Sequence, residues 1–301
     1  MHDDTITGHP ALPALPEPVP GVEVALTPAP RRRRVRSVVV GGLLAAARPL
    51  LGIHFEIYRR EMSTSIFPRD ERTSRVEGPR PESLAFVGSV AVAGLGVLSH
   101  GMTTSSQTAQ RVAANRRRGM GWTEVSSPVL TAETASTLPA LAAPGTDVAV
   151  LLLGIADVLT VTSPASWERS LRKLIERARR EAGHDCAVVV AELPPMADFR
   201  PIPPLARRLI TAQIARLDAV VRRLAREIDG VTAVPFPAWD LDGLFVQDLF
   251  SWASMHRTWA EALAPHVSFA LDSVEARRAS SSPLAQDVDL LASSGDEPVA
   301  A

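Results

Sequence analysis

Apolar residues follow two rhythms between Leu84 and Leu271. Short uninterrupted runs alternate with longer stretches in which apolar positions recur every three or four residues. The runs at Leu84–Ser89, Trp122–Ser126, Asp147–Leu153, Cys186–Leu193 and Val231–Phe236 predict five strands. The third and fourth are apolar almost throughout, as central parallel strands are when helices cover both faces. Between the runs, Thr103–Arg118 predicts a polar helix. Ser163-Pro164 supplies a cap and first-turn proline for a helix lined by Trp167, Leu171, Leu174 and Ala178. Leu205, Leu209, Leu217, Val221, Leu224 and Ile228 line the next helix, and Trp252, Met255, Trp259 and Leu263 the last. This βαβα succession predicts a three-layer α/β/α sandwich around a five-stranded parallel sheet. In such sheets ligands bind at the carboxyl ends of the strands, so that is where chemistry is sought.

The flanks have another character. Residues 1–36 carry prolines at 10, 13, 16, 18, 20, 28 and 30 and end in Arg31–Arg36 (RRRRVR). That composition predicts a disordered leader, since it has too little apolar surface to offset ordering entropy. Residues 37–80 are first apolar and then basic. Residues 81–271 form the α/β domain, and the Ser-, Ala- and acid-rich stretch 272–301 reads as a disordered tail. The basic flank before Ser37–Ala47 resembles a signal anchor, but Arg48 and Pro49 interrupt the run. A spanning helix needs roughly 20 apolar residues. The segment 31–60 is therefore expected to be a membrane-peripheral helix or one packed on the domain, and the protein cytoplasmic or peripheral to a membrane.

Composition narrows the chemistry further. With 32 basic and 33 acidic residues the net charge is −1, and nucleic acid is not an expected partner. Lys173 is the only lysine and Cys186 the only cysteine, so no intramolecular disulfide or cysteine-rich metal site can form. None of the seven histidines has metal-ligand spacing. The glycines Gly88, Gly94 and Gly96 fall short of a G-x-G-x-x-G dinucleotide fingerprint. No cofactor is expected.

Four blocks at the strand ends carry a resemblance. They are Val87-Gly88-Ser89-Val90 followed by Gly94-Leu-Gly96, then Gly154-Ile155-Ala156-Asp157, then Glu192-Leu-Pro-Pro195, and finally Asp248-Leu-Phe-Ser251 ahead of a tryptophan-bearing helix. In order and spacing they resemble the SGNH (GDSL-like) hydrolases, whose members are serine esterases and acylhydrolases, and the resemblance implies that family's flavodoxin-like fold. The resemblance implies that Ser89 stands at the family's motif aspartate, Val90 at its nucleophilic serine and Ala156 at its oxyanion-hole asparagine. Asp157 and Asp248 keep the family's aspartates, and Ser251 stands at the general-base histidine. The second-block glycine has no counterpart near Ser127-Pro128-Val129.

Valine has no heteroatom with which to attack an acyl carbon. Loss of one oxyanion donor is worth ~3–4 kcal/mol of barrier, and a serine hydroxyl cannot replace imidazole as base. The resemblance therefore implies an esterase fold without its catalytic groups: a binding or regulatory protein for a small acyl or carbohydrate ligand. Two alternatives stand beside it. One is an active esterase with rearranged groups, drawing on Asp157, Asp248, Ser89, Ser99 and Ser251, or on a rewired Ser89–His256 pair, although His256 lies about 140° around a helix from Ser251. The other is a membrane-associated structural protein working through Arg31–Ile57.

Overall fold

A computed structural model describes residues 41–198, 202–237, 245–246 and 249–280. The leader 1–36, the tail from 281 onward and Asp248 lie outside the described residues. Along the chain run α1 (Arg48–Thr64), β1 (Arg75–Val76), β2 (Glu82–Gly88), α2 (Val90–Ala93) and α3 (Thr104–Arg116). There follow β3 (Met120–Ser126), α4 (Ala132–Ala135), β4 (Val148–Leu152), α5 (Ile155–Leu159), α6 (Pro164–Ala182) and β5 (Ala187–Ala191). The chain closes with α7 (Pro204–Glu227), β6 (Val231–Val234), the small hairpin β7 (Phe245–Val246) and β8 (Leu249–Phe250), and α8 (Trp252–Ser280).

The main sheet has the order β1-β3-β2-β4-β5-β6. Strands β2 to β6 pair in parallel, giving the five strands that the apolar runs predict. The two-residue β1 adds an antiparallel edge on β3, pairing Arg75 with Gly121. It is too short to leave a pattern in the sequence. Alternate strand residues feed two cores. Ala85, Val87, Leu151 and Val190 meet Leu171, Leu174, Leu217 and Leu224 of α6 and α7 on one face. Leu84, Phe86, Val150 and Val189 meet Val112 of α3 and Leu263 and Val267 of α8 on the other. Because both faces are covered, the strands are apolar at nearly every position.

Ser163 caps α6 as expected, its side chain accepting the Ser166 N–H, with Pro164 in the first turn. Two expectations need correction. Leu205 does not line the core face of α7: it is 62% exposed in the first turn, and Ile210, Leu217, Val221 and Leu224 carry that face. The last helix also runs past the expected boundary at Asp272 to Ser280. Its extension is apolar where it matters, with Ala270, Leu271 and Val274 buried. It is also tied to the foot of the sheet by ion pairs Arg116–Asp272, Arg118–Glu275 and Arg278–Asp147. Long-range pairs of this kind leave no local sequence signal. The segment 37–80 contributes α1, which packs on the domain through Leu51 and Tyr58. No helix among the described residues is long and apolar enough to cross a membrane.

Candidate functional site

β2 lies at the centre of the sheet, with β3 on one side and β4 on the other. The crossovers leaving β2 and β4 thus diverge and open a crevice at their carboxyl ends, the usual ligand position in doubly wound sheets. The turn out of β2 is built tightly. A Cβ on Gly88 would stand 2.6 Å from Val92 Cγ2 and 2.7 Å from the Leu152 carbonyl oxygen, so only glycine fits. The Ser89 N–H then donates to the Leu152 carbonyl (3.0 Å), locking the turn to β4. Gly96 has φ +75°, and a side chain there would collide with Trp252 at 2.3 Å.

A cavity of about 240 Å³ opens at this crevice. Val90 from the β2 turn, Ile155 and Leu159 from α5, Pro194 from the loop after β5, and Trp252 and Trp259 from α8 line it. The blocks singled out in the sequence therefore converge, though partly through their neighbours. Val90 itself faces the cavity. Ala156 is wholly buried within α5 and is represented at the wall by Ile155 and Leu159. Ser251 is represented by Trp252; its own Oγ accepts the Ser254 N–H (3.2 Å), a helix-capping role. Ser89 is buried and is absent from the lining.

Asp157 looks away from the cavity. Its Oδ2 accepts the Ala132 N–H and its Oδ1 the Thr162 hydroxyl, both at 3.0 Å, joining α5 to the start of α4. Burial lifts its pKa to about 6, with those hydrogen bonds opposing the rise.

One wall was not anticipated. α1 contributes His54, Tyr58, Glu61 and Met62 to the lining. The Tyr58 hydroxyl donates to the Pro128 carbonyl, so this helix braces the Ser127-Pro128-Val129 turn after β3. Burial raises the Tyr58 pKa above its ordinary value. A signal was present: Leu44, Leu51 and Tyr58 recur every seven residues and are buried. It was masked by the basic and apolar composition around it. Among the described residues lining this cavity there is no serine, threonine or cysteine. The indole Nε1 of Trp259 is buried without a hydrogen-bond partner among the described residues.

His256 is fully buried, and both its ring nitrogens are committed. Nδ1 accepts from the Thr104 hydroxyl (2.8 Å) and backbone N–H (3.2 Å), while Nε2 donates to the Leu95 carbonyl (3.0 Å). Burial pushes its pKa down to about 4, only partly offset by the Leu95 bond. It is a neutral brace between α8, α3 and the loop after α2, with no lone pair left for Ser89.

Ser99 and His100 form a separate cluster on Asp70. The Ser99 hydroxyl donates to Asp70 Oδ2 (2.8 Å) and His100 Nδ1 meets Asp70 Oδ1 at 2.7 Å. Arg72 Nε donates to His100 Nε2 (3.2 Å), which occupies the nitrogen a general base would use. The Ser99 hydroxyl and then the His100 N–H hold the Asp70 carboxyl down to about 2. Cys186 is buried and its thiol is pushed up to about 11 by that burial. No group of three or more potential metal ligands occurs among the described residues.

Residues 86–266 match the model of the GDSL-like Lipase/Acylhydrolase family. Solved structures to which the chain is similar include an active-site mutant of a family two carbohydrate esterase from Clostridium thermocellum, at 15% identity and a TM-score of 0.44. That likeness covers 64% of this chain and 64% of the esterase. TesA matches at 20% identity and TM-score 0.47, covering 63% of this chain and 99% of TesA. An extracellular lipase from Streptomyces rimosus matches at 12% identity and TM-score 0.42, over 61% of this chain and 99% of the lipase. No curated protein matches the sequence.

Proposed function

The chain belongs to the GDSL-like lipase/acylhydrolase family, and from that premise we propose that it is a non-hydrolytic binding protein. It keeps the scaffold's cavity for an apolar ligand and lacks the groups that would cleave one. The observation that carries this reading is the cavity wall itself. Val90 occupies the lip of the β2 turn, and among the described residues that line the cavity there is no serine, threonine or cysteine. The rest of the wall is mostly apolar, with His54, Tyr58 and Glu61 as its ionisable groups. Such a lining suits a short acyl chain better than a sugar, which would need many more hydrogen-bonding partners.

Size supports the same class. Engineered apolar cavities of about 150 Å³ stay dry and take up benzene. Taking a methylene as about the size of a water, roughly 30 Å³, a cavity of about 240 Å³ has room for a chain of at most about eight carbons. Burying that many methylenes at about 0.8 kcal/mol each gives at most ~6 kcal/mol. A dissociation constant no tighter than tens of micromolar follows.

The test pairs two assays on the full chain. Titration calorimetry with 1-octanol is expected to show saturable binding in the sub-millimolar range. Incubation with p-nitrophenyl octanoate is expected to release nitrophenol no faster than buffer. Ester turnover that disappears on Ser89→Ala overturns the proposal.

A further inference from the structure

Among the described residues, the ionisable side chains of the cavity wall all come from α1. His54, Tyr58 and Glu61 fall within about 60° of one another around the helix and are spread over about 10 Å of its length. α1 stands outside residues 86–266, so this polar wall is not supplied by the part of the chain that matches the family. The facing walls, built from Val90, Ile155, Leu159, Trp252 and Trp259, are aliphatic or aromatic. A ligand with an apolar chain therefore has one side against which its polar end can rest.

The hydrogen-bonding capacity of that side is lopsided. The Tyr58 hydroxyl gives its proton to the Pro128 carbonyl, which leaves its oxygen as an acceptor only. A carboxylate accepts at about four positions and donates at none, so Glu61 can take a further donor alongside any contact it already makes. His54 is half-buried, and neither of its ring nitrogens is hydrogen-bonded among the described residues. Its neutral ring offers one acceptor and one donor. The Trp259 indole N–H is closed off by its burial. No lysine or arginine is among the described residues of the lining. We infer that the cavity selects a ligand whose neutral polar end donates a hydrogen bond, a medium-chain primary alcohol, and that His54 is the group that receives it. This inference rests on the proposed binding function and narrows it. A hydroxyl gives its proton to the free His54 nitrogen. A carboxylate on the same chain brings acceptors to a wall of acceptors, and buries a charge with no lysine or arginine beside it, which costs far more than burying a hydroxyl. An ether has no proton to give, so the His54 acceptor goes unmet.

Titration calorimetry on the full chain tests it with four ligands: 1-octanol, its isomer heptyl methyl ether, octanoate and octylammonium. 1-Octanol is expected to bind about tenfold more tightly than the ether and than octanoate. His54→Leu is expected to bring octanol down to the affinity of the ether, with the ether's own affinity unchanged. His54→Gln, which keeps one acceptor and adds donors, is expected to retain most of the preference, which separates a lost contact from a disturbed wall. An ether or octanoate bound as tightly as octanol overturns the inference and leaves the apolar cavity as a binding site. Tighter binding of octylammonium than of octanol does the same, by assigning the wall to a cation. A preference for octanol that His54→Leu leaves intact also overturns it. Failure of all four ligands to bind overturns the proposed function, and this inference with it.

Discussion

His256 separates a structural histidine from a displaced catalytic base, and pH does the separating. Its folded pKa is about 4 against an ordinary 6.5, because it is buried as a neutral ring between Thr104 and Leu95. In the unfolded chain the same ring titrates near 6.5. Below that pH the unfolded state takes up a proton that the folded state refuses, so stability falls as pH drops from 6.5 towards 4. At about 1.36 kcal/mol per tenfold change in proton affinity, the loss reaches about 3 kcal/mol. Asp157 and Asp218 work the other way, since their folded pKa values are raised. They share no hydrogen-bond partner with His256, so their contributions cancel when wild type is compared with His256→Gln. Glutamine can still accept from Thr104 and donate to Leu95, and it does not titrate. Urea unfolding of both proteins from pH 4 to 7.5 is the assay. The wild-type advantage should be largest at neutral pH and shrink by about 3 kcal/mol by pH 4. A difference independent of pH refutes the neutral brace. So does an ester hydrolysis activity with a midpoint near 6.5 that His256→Gln abolishes.

Three other groups in the fold carry expected outcomes of their own. Asp218 accepts the Leu193 N–H (2.9 Å), and burial lifts its pKa to about 7. Its folded state therefore holds a proton that the unfolded chain has released, and stability declines as pH rises from about 4 to 7. Asp218→Asn should remove roughly 3–4 kcal/mol of that decline in the same unfolding series, and an unaltered pH profile would refute the assignment. Gly88→Ala drives a methyl against the Leu152 carbonyl oxygen at 2.7 Å. It should lower stability by at least about 3 kcal/mol in thermal melts, and a loss under 1 kcal/mol would show that the turn yields. Writing the family motif back with Ser89→Asp, Val90→Ser, Ala156→Asn and Ser251→His should give slow p-nitrophenyl ester hydrolysis above that of Ser89→Asp alone. Asn at the fully buried Ala156 site should cost about 1–3 kcal/mol by overpacking. A folded but inert quadruple variant would mean that these positions do not converge as the motif implies.

How much of this was legible in the sequence depends on whether the signal was local. Leu84, Val150 and Val189 sit in uninterrupted runs because two helical layers cover their strands, so the sheet could be read directly. Ser163-Pro164 announced α6 in the same way. The crevice was legible too, since Gly88 and Gly154 sit where strands end and helices begin. What could not be read was set by contacts across long stretches of chain. Tyr58 meets Pro128, Arg278 meets Asp147, and His256 meets Leu95, at separations no periodicity encodes. α1 was expected as a helix, but its part in the cavity wall was hidden for a further reason. Its apolar residues serve two surfaces, Leu51 and Tyr58 facing the core and Ile53 and Ile57 outside, which blurs the amphipathic pattern.

The central claim is that this esterase scaffold presents a cavity without a nucleophile. An organophosphonate that carries an octyl chain tests it most directly, because it reacts only with an activated hydroxyl held beside a bound chain. Intact-mass spectrometry of the full-length protein after prolonged incubation should show an unmodified chain, with octanol binding retained afterwards. A single stoichiometric adduct mapped to Ser89, or to any other serine, would contradict the account.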